Sequence, residues 1–168
     1  MNKGKLVVRD VALLGIMVAM LEGVKLALSF LPNVELVSFL IIMFTLILGW
    51  KTLIGVEVFV LVECMIWGFG LWTLMYIYIW PILVVATMLI RKFKSIWPYV
   101  IVSAVFGFIF GALCSIPYIF IGGPYQMFTW WVAGLPYDAI HGVSNGVIML
   151  VLYKPIRLAV DKIKASAR

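Results

Sequence analysis

Charged residues are scarce in this chain of 168 residues. Only 12% of the residues are Asp, Glu, Lys or Arg, whereas an ordinary soluble domain has about 25%. Hydrophobic residues make up 65% of the chain, and the mean hydropathy is +1.18. A soluble fold of this size has too little interior to bury that much apolar surface. The composition excludes a water-soluble enzyme, a nucleic-acid-binding module and a disordered chain. It indicates a polytopic protein of the lipid bilayer.

Residues and motifs that carry catalytic chemistry are also rare. The two cysteines, Cys64 and Cys114, lie in apolar runs and predict neither a disulfide framework nor a metal site. The one histidine, His141, has no further metal ligands at a usable spacing. No P-loop and no His-Glu-x-x-His motif occurs. The segment Gly142-Val-Ser-Asn-Gly146 matches a hydrolase pattern, but it lies inside a helical run, where we interpret its glycines as packing positions. We expect no catalytic residue and no metal ligand.

Six apolar runs predict an all-α polytopic membrane protein with a single domain over residues 1–168. A membrane-spanning helix needs about 20 mostly apolar residues. The runs end at Pro, Gly or basic residues, and the second run is short. They cover approximately Asp10–Phe30, Val34–Leu48, Thr52–Trp67, Leu71–Ile90, Trp97–Ile121 and Met127–Tyr153. We expect the sixth helix to end at Lys154-Pro155, before a short basic tail.

The basic residues alternate between the connections of these six runs. Twelve of the 13 Lys and Arg residues lie at the two termini or in the second and fourth connections. The remaining one, Lys25, lies inside the first run, and the other connections hold none. Because basic residues collect on the cytoplasmic side, this pattern predicts six spans with both termini in the cytoplasm.

Ionisable side chains inside the spans are functional candidates, because charge is costly in a bilayer. Glu22 and Lys25 stand i, i+3 and can pair on one helix face. Asp138, His141 and Asn145 follow an i, i+3, i+7 spacing and form a polar stripe. Each group also has a structural interpretation, as a self-satisfied pair or as hydrogen bonds between helices. Further candidates are Glu63, then Glu57, for which we favour a structural role, and Glu35, which can instead stabilise the N-terminus of the second helix.

Aromatic residues concentrate around the third and fifth connections, which the predicted topology places outside. An interfacial belt accounts for some of them, and the excess predicts a stacking cavity open to the exterior. From the polar and aromatic patterns together we predict a substrate-binding set. Its members are Lys25, Asn33, Glu35, Glu63, Trp67, Trp72, Tyr76, Tyr125, Gln126, Trp130, Asp138 and His141.

Small residues form a smooth face on the first half of the first span. Ala12, Gly15 and Ala19 follow an i, i+3, i+7 spacing, which favours close approach of another helix. We predict that these three residues dock a partner subunit. The alternative is contact with another helix of the same chain.

These features together resemble a known family. Six spans in under 200 residues, an inward N-terminus and the small-residue face look like the substrate-binding S-component of energy-coupling factor (ECF) vitamin transporters. The segments Leu31-Pro-Asn-Val-Glu-Leu-Val-Ser-Phe-Leu40 and Gly134-Leu-Pro-Tyr-Asp-Ala-Ile-His141 strengthen the resemblance. The family often has Ala-x-x-x-Ala on the first helix, and Gly15-x-x-x-Ala19 is the nearest equivalent here. The chain is most similar to the cobalamin-type S-component.

The resemblance implies a function in vitamin uptake. Such a subunit is a multi-pass protein of the bacterial plasma membrane that captures a vitamin, here cobalamin, at the outer face. It docks through its first helix on a transmembrane coupling subunit joined to two ATPase subunits, which supply ATP and Mg chemistry. The chain itself would need no cofactor. The alternatives are another micronutrient such as a queuosine precursor, a self-sufficient ion-coupled carrier with Asp138, Glu63 and His141 as a proton relay, and a membrane scaffold without a ligand.

Overall fold

The computed structural model describes residues 6–166 and is helical, with no strand in that range. The prediction of an all-α protein is therefore confirmed. Lys3, Lys5 and Arg168, which belong to the predicted basic termini, lie outside the described residues. The helices are α1 (Val8–Ala27), α2 (Val37–Leu48), α3 (Thr52–Trp67), α4 (Leu71–Ile90), α5 (Trp97–Ser115) and α6 (Ile119–Ser166).

Long apolar helices mark the chain as a membrane protein. Within the described residues, three helical segments are long and apolar enough to cross a bilayer: Val37–Trp67, Leu71–Ile90 and Trp97–Lys162. The first segment joins α2 to α3 and the third joins α5 to α6. The helix α1 is absent from this group, and its 20 residues include four charged side chains. These are Arg9, Asp10, Glu22 and Lys25.

The short helix α2 lies at the centre of the bundle. Every residue from Val37 to Thr45 is buried, and α2 contacts all five other helices. A helix that is apolar on all sides lies either in a protein core or against lipid, and the contacts of α2 with the five other helices place it in the core. Its 12 residues extend about 18 Å, less than the hydrocarbon thickness of about 30 Å. Gly49, with a φ of +62°, ends α2 and leads through a 3-10 turn directly into α3.

Glycines bring α5 and α6 into close contact. A Cβ atom placed on Gly107 would lie 2.7 Å from the Cα atom of Gly142. One turn farther along α6, a Cβ on Gly146 would lie 3.3 Å from the Cβ of Ala104. Small residues at such crossings allow two backbones to approach and gain dispersion energy. The glycines of the hydrolase-like segment therefore serve helix packing.

Several predicted helix boundaries were wrong. Helix α2 begins at Val37 rather than Val34, and α6 begins at Ile119 rather than Met127. The first helix ends at Ala27 rather than Phe30, and α5 ends at Ser115 rather than Ile121, where a 3-10 turn that includes Pro117 follows. The helix α6 continues through Pro155 to Ser166 instead of ending at Tyr153. A proline removes one N–H donor, and the flanking hydrogen bonds of a long helix can persist around it. Helix α6 has its interruption at Gly122 and Gly123, whose backbone is not helical.

The contact between Gly107 and Gly142 yields a stability prediction. We expect Gly107→Ala to lower the free energy of unfolding by about 1–3 kcal/mol, because the methyl group meets backbone atoms that have no free rotation. The measurement is thermal unfolding in detergent, followed with a dye that reacts with the buried thiols of Cys64 and Cys114. The matched control is Gly134→Ala, where an added Cβ has no neighbour within 4 Å. Equal unfolding midpoints for the two variants would contradict the prediction.

Candidate functional site

Charged side chains from several elements meet at the end of the bundle where α1 and α3 end. Lys25 of α1 forms an ion pair with Glu63 of α3. The Lys25 Nζ atom also lies 5.3 Å from the centre of the Tyr76 ring of α4. Glu63 is 1% exposed and Lys25 is 33% exposed, so the pair is open to the surface on the lysine side. Lys25 therefore pairs with a different helix and not with Glu22 of its own helix.

Glu22 has the least satisfied carboxyl group of this region. It is 8% exposed, and among residues 6–166 neither of its oxygens has a hydrogen-bond partner. The Glu63 carboxyl lies within hydrogen-bonding and electrostatic range of Glu22, and no donor of the described residues reaches the buried Glu63 Oε1 atom. Burial of a polar group without a partner costs free energy. Apart from their contact with each other, the two carboxyl groups thus hold acceptor capacity that no donor of the described residues uses.

Glu35, in the connection between α1 and α2, joins this end of the bundle to α6. Its Oε1 atom lies 3.1 Å from Nε2 of His141, and its Oε2 atom accepts a 2.8 Å hydrogen bond from the backbone N–H of Ser38. Burial raises the pKa of Glu35, but the interactions with His141 and Ser38 outweigh it and hold the pKa below its usual value. The side chain therefore stabilises the start of α2 and also contacts the predicted stripe.

Asn33 anchors the same connection. Its φ of +58° lies in the left-handed region, which Asn tolerates better than most residues. The Ser144 hydroxyl donates a 3.0 Å hydrogen bond to the Asn33 carbonyl oxygen. The connection is therefore attached to α6 at two points, through Asn33 and through Glu35. We call Glu22, Lys25, Glu35, Glu63, Tyr76 and His141 the polar cluster.

The predicted stripe on α6 is buried, but its members have separate partners. Asp138, His141 and Asn145 are 5%, 4% and 1% exposed. The Asp138 Oδ1 atom accepts a 2.8 Å hydrogen bond from the Gly111 N–H of α5. The backbone carbonyl of Asn145 accepts a hydrogen bond from the Ser103 hydroxyl, while its side-chain Nδ2 atom has no partner among the described residues. Asp138 and Asn145 therefore bind α5, whereas His141 binds Glu35. In this structure no direct hydrogen bond joins Asp138, His141 and Glu63 into a relay within residues 6–166.

A series of aromatic rings leads from Tyr76 of α4, through α5, to His141 of α6. The ring centres of Trp72 and Tyr76 are 5.5 Å apart, and those of Tyr76 and Trp80 are 5.2 Å apart. The series continues from Trp80 to Phe110 at 5.8 Å and from Phe110 to His141 at 4.9 Å. The predicted substrate-binding set did not include Trp80, which was counted only among the aromatic residues near the third connection, or Phe110. The spacing of Trp72, Tyr76 and Trp80 at i, i+4 and i+8 is the signal that places them on one helix face.

Four members of the predicted substrate-binding set lie apart from the polar cluster. Trp67 is 60% exposed and Tyr125 is 82% exposed. Trp130 stacks on Tyr118 with ring centres 5.0 Å apart. Gln126 lies against Gly122, beside the interruption of α6. The structure brings Lys25, Glu35, Glu63, Tyr76 and His141 together. Trp72 packs on Tyr76, and Asn33 and Asp138 lie next to this group.

The small-residue face of α1 is open. Ala12, Gly15 and Ala19 are exposed, and a Cβ on Gly15 would have no neighbour within 4 Å. Helix α1 packs on α3 through a different face, where a Cβ on Gly55 would lie 2.7 Å from the Met17 sulfur. Gly15 and Ala19 line a groove of about 460 Å³ between α1 and α3. We call it the α1–α3 groove, and Glu22 is the one polar side chain among its lining residues.

Comparisons of the chain with protein-family models, with curated proteins and with solved structures find no match. Within residues 6–166, no three His, Cys, Asp or Glu side chains gather closely enough to hold a metal ion. The polar cluster offers one ammonium group, three carboxyl groups and one imidazole beside aromatic rings. This arrangement suits a small ligand that combines hydrogen-bonding groups with a planar apolar part.

The buried position of Glu63 predicts a strong dependence on Lys25. We expect Lys25→Met to lower the free energy of unfolding by about 3 kcal/mol, because it leaves the Glu63 carboxylate buried without its counter-ion. Lys25→Met combined with Glu63→Gln should destabilise by less than the sum of the single effects. The measurement is a double-mutant cycle of unfolding free energies in detergent.

The control for this cycle is the ion pair between Lys51 and Asp10, in which Lys51 is 35% exposed and Asp10 is 14% exposed. Lys51→Met should destabilise less than Lys25→Met, because the Asp10 carboxylate keeps more contact with solvent than the Glu63 carboxylate, which is 1% exposed. Strict additivity of Lys25→Met and Glu63→Gln would contradict the inferred ion pair.

Proposed function

We propose that the chain is the substrate-binding S-component of an ECF-type vitamin importer in the bacterial plasma membrane. The observation that carries this proposal is that α1 presents two different surfaces, one apolar and open and one polar. Its first half presents the open face with Gly15 and Ala19. Its second half places Lys25 in the polar cluster. A subunit that captures a ligand and then docks on a partner needs both features.

The proposed topology has six spans and cytoplasmic termini. The distribution of charge supports it, because the bundle end opposite the polar cluster has the basic residues Lys51, Arg91, Lys94 and Arg157. Positive charge on this scale is typical of a cytoplasmic surface. The polar cluster then opens toward the exterior, where a nutrient is captured.

Cobalamin is the ligand that we propose, and a queuosine precursor is the alternative within the same class. Both have planar ring systems with polar substituents, which match the rings of Trp72 and Tyr76 beside the ammonium group of Lys25. Transport would draw its energy from two ATPase subunits that bind ATP and Mg, through a transmembrane coupling subunit. The α1–α3 groove is the proposed docking surface for that coupling subunit.

A titration of the purified chain tests ligand capture. The full chain in detergent, without partners, is titrated by calorimetry with cobalamin, and with riboflavin, folate and a queuosine precursor for comparison. We expect selective binding of cobalamin. Trp72→Ala should weaken it about fivefold, on the order of 1 kcal/mol, because a stacking ring is lost.

The control variant for the titration is Trp50→Ala. Trp50 is 54% exposed and lies at the opposite end of the bundle, so this variant should bind like the unaltered chain. If folded protein binds none of the four compounds, ligand capture by the isolated chain is refuted. Preferential binding of the queuosine precursor would replace cobalamin and retain the class.

A bulky residue in the α1–α3 groove should separate docking from capture. We expect Gly15→Leu to reduce uptake more than tenfold in cells that express a complete coupling module, while ligand affinity stays unchanged. Gly23→Leu is the matched control, because Gly23 is exposed on the same helix, outside the groove lining, and an added Cβ also has no neighbour within 4 Å.

Normal uptake by Gly15→Leu would refute docking through this face. It would favour the second candidate function, an ion-coupled carrier, which the unpartnered carboxyl of Glu22 beside Glu63 supports. In that case, vesicles that lack ATPase subunits should still accumulate the ligand when a pH gradient is imposed.

A further inference from the structure

A second polar site lies at the end of the bundle opposite the polar cluster. The connection between α4 and α5 and the last third of α6 enclose a pocket of about 230 Å³, which we call the basic pocket. Four cationic side chains and two tyrosine rings line it: Arg91, Lys92, Lys94, Arg157, Tyr99 and Tyr153. Sequence reasoning treated these cations only as markers of topology.

Two stacked tyrosines give the basic pocket a fixed floor. The rings of Tyr99 and Tyr153 are 5.0 Å apart and nearly parallel, at 19°. The Tyr99 hydroxyl donates a 3.0 Å hydrogen bond to the carbonyl oxygen of Phe93, within the connection. Tyr99 is 1% exposed, so its side chain attaches the connection to the buried first turn of α5. The backbone that carries Arg91, Lys92 and Lys94 is thereby held in place.

The charge of the basic pocket is only partly balanced. Arg157 pairs with Asp161 at 3.3 Å, and both side chains are more than 40% exposed, which makes this a weak surface pair. Arg91 contacts the Met88 sulfur at 3.7 Å rather than a carboxylate. Arg91 and Arg157 line the same pocket from α4–α5 and from α6. Four cations beside one carboxylate favour an anion with several acceptor oxygens, and a phosphate group has that chemistry.

The surroundings of the basic pocket indicate that the phosphate belongs to a lipid. Phe93 and Trp97, at 58% and 60% exposure, flank the connection, as aromatic residues do at the headgroup level of a bilayer. Farther along the same α4–α5 hairpin, an apolar groove of about 180 Å³ is lined by residues that include Ala86, Ile101 and Val105. Such a groove can accept an acyl chain, which a free phosphate ion does not have.

We propose that the basic pocket binds the phosphate of an anionic phospholipid, with an acyl chain on the apolar surface of the α4–α5 hairpin. Basic pockets between membrane helices on the cytoplasmic side recognise headgroups in this way. The proposal requires only that this end of the bundle lies at a membrane surface. It is independent of the vitamin, of the coupling subunits and of the direction of transport.

The experiment measures lipid binding to the full chain in neutral detergent by native mass spectrometry. The probes are phosphatidylglycerol and zwitterionic phosphatidylcholine, titrated separately. We expect phosphatidylglycerol to bind more tightly, and Lys94→Gln to weaken it about fivefold, with a larger loss for Arg91→Gln combined with Lys94→Gln. Unfolding midpoints measured without lipid confirm that the variants are folded.

Lys154→Gln is the matched control, because Lys154 is exposed at the same end of the bundle but does not line the basic pocket. An equal loss with Lys154→Gln would overturn the proposal, since it would show diffuse surface attraction. Equal affinity for the two lipids would overturn it as well. Displacement of phosphatidylglycerol by an equal concentration of inorganic phosphate would assign the pocket to a free anion and refute the lipid.

Discussion

The ion pair between Lys25 and Glu63 is the interaction on which the arrangement of α1 depends. In an apolar interior, a buried carboxylate without a counter-ion is strongly destabilising, so α1 has one favourable position against α3. That position packs Met17 on Gly55 and leaves Gly15 and Ala19 facing outward. One electrostatic requirement therefore fixes both the polar cluster and the α1–α3 groove.

The existence of the helices was largely predictable from the sequence, whereas the residues at which they begin and end were less predictable. The predicted ranges of α3 and α4 agree with the structure, because Lys51 and the Gly68-Phe-Gly70 turn interrupt the apolar pattern. The end of α5 and the interruption of α6 fall within one apolar run, where hydropathy gives no boundary. There the helix is interrupted by the 3-10 turn that contains Pro117 and by the positive φ of Gly123. Pro155, in contrast, does not end α6. A proline is thus a weaker stop signal inside a long helix than at the end of a run.

The sequence indicated which residues are unusual, but not which of them meet. Lys25 and Glu63 are 38 positions apart, and Glu35 and His141 are 106 positions apart. Helical spacing relates only neighbours within one helix, so it predicted a pair between Lys25 and Glu22 that tertiary packing does not form. Trp80 and Phe110 were left out of the predicted substrate-binding set for a related reason. An aromatic residue in a membrane protein resembles part of an interfacial belt until its packing partners are known.

Glu22 connects the two surfaces that the proposed function requires. It lines the α1–α3 groove, and it lies within electrostatic range of Glu63 in the polar cluster. A partner helix in the groove could place a hydrogen-bond donor against the Glu22 carboxyl. That hydrogen bond would change the electrostatic potential at Glu63. Because Glu63 pairs with Lys25, that change would act directly on the cation of the polar cluster. Under the proposed function, docking and ligand release would then be linked through three charged residues on two helices, without rearrangement of the enclosed helix α2.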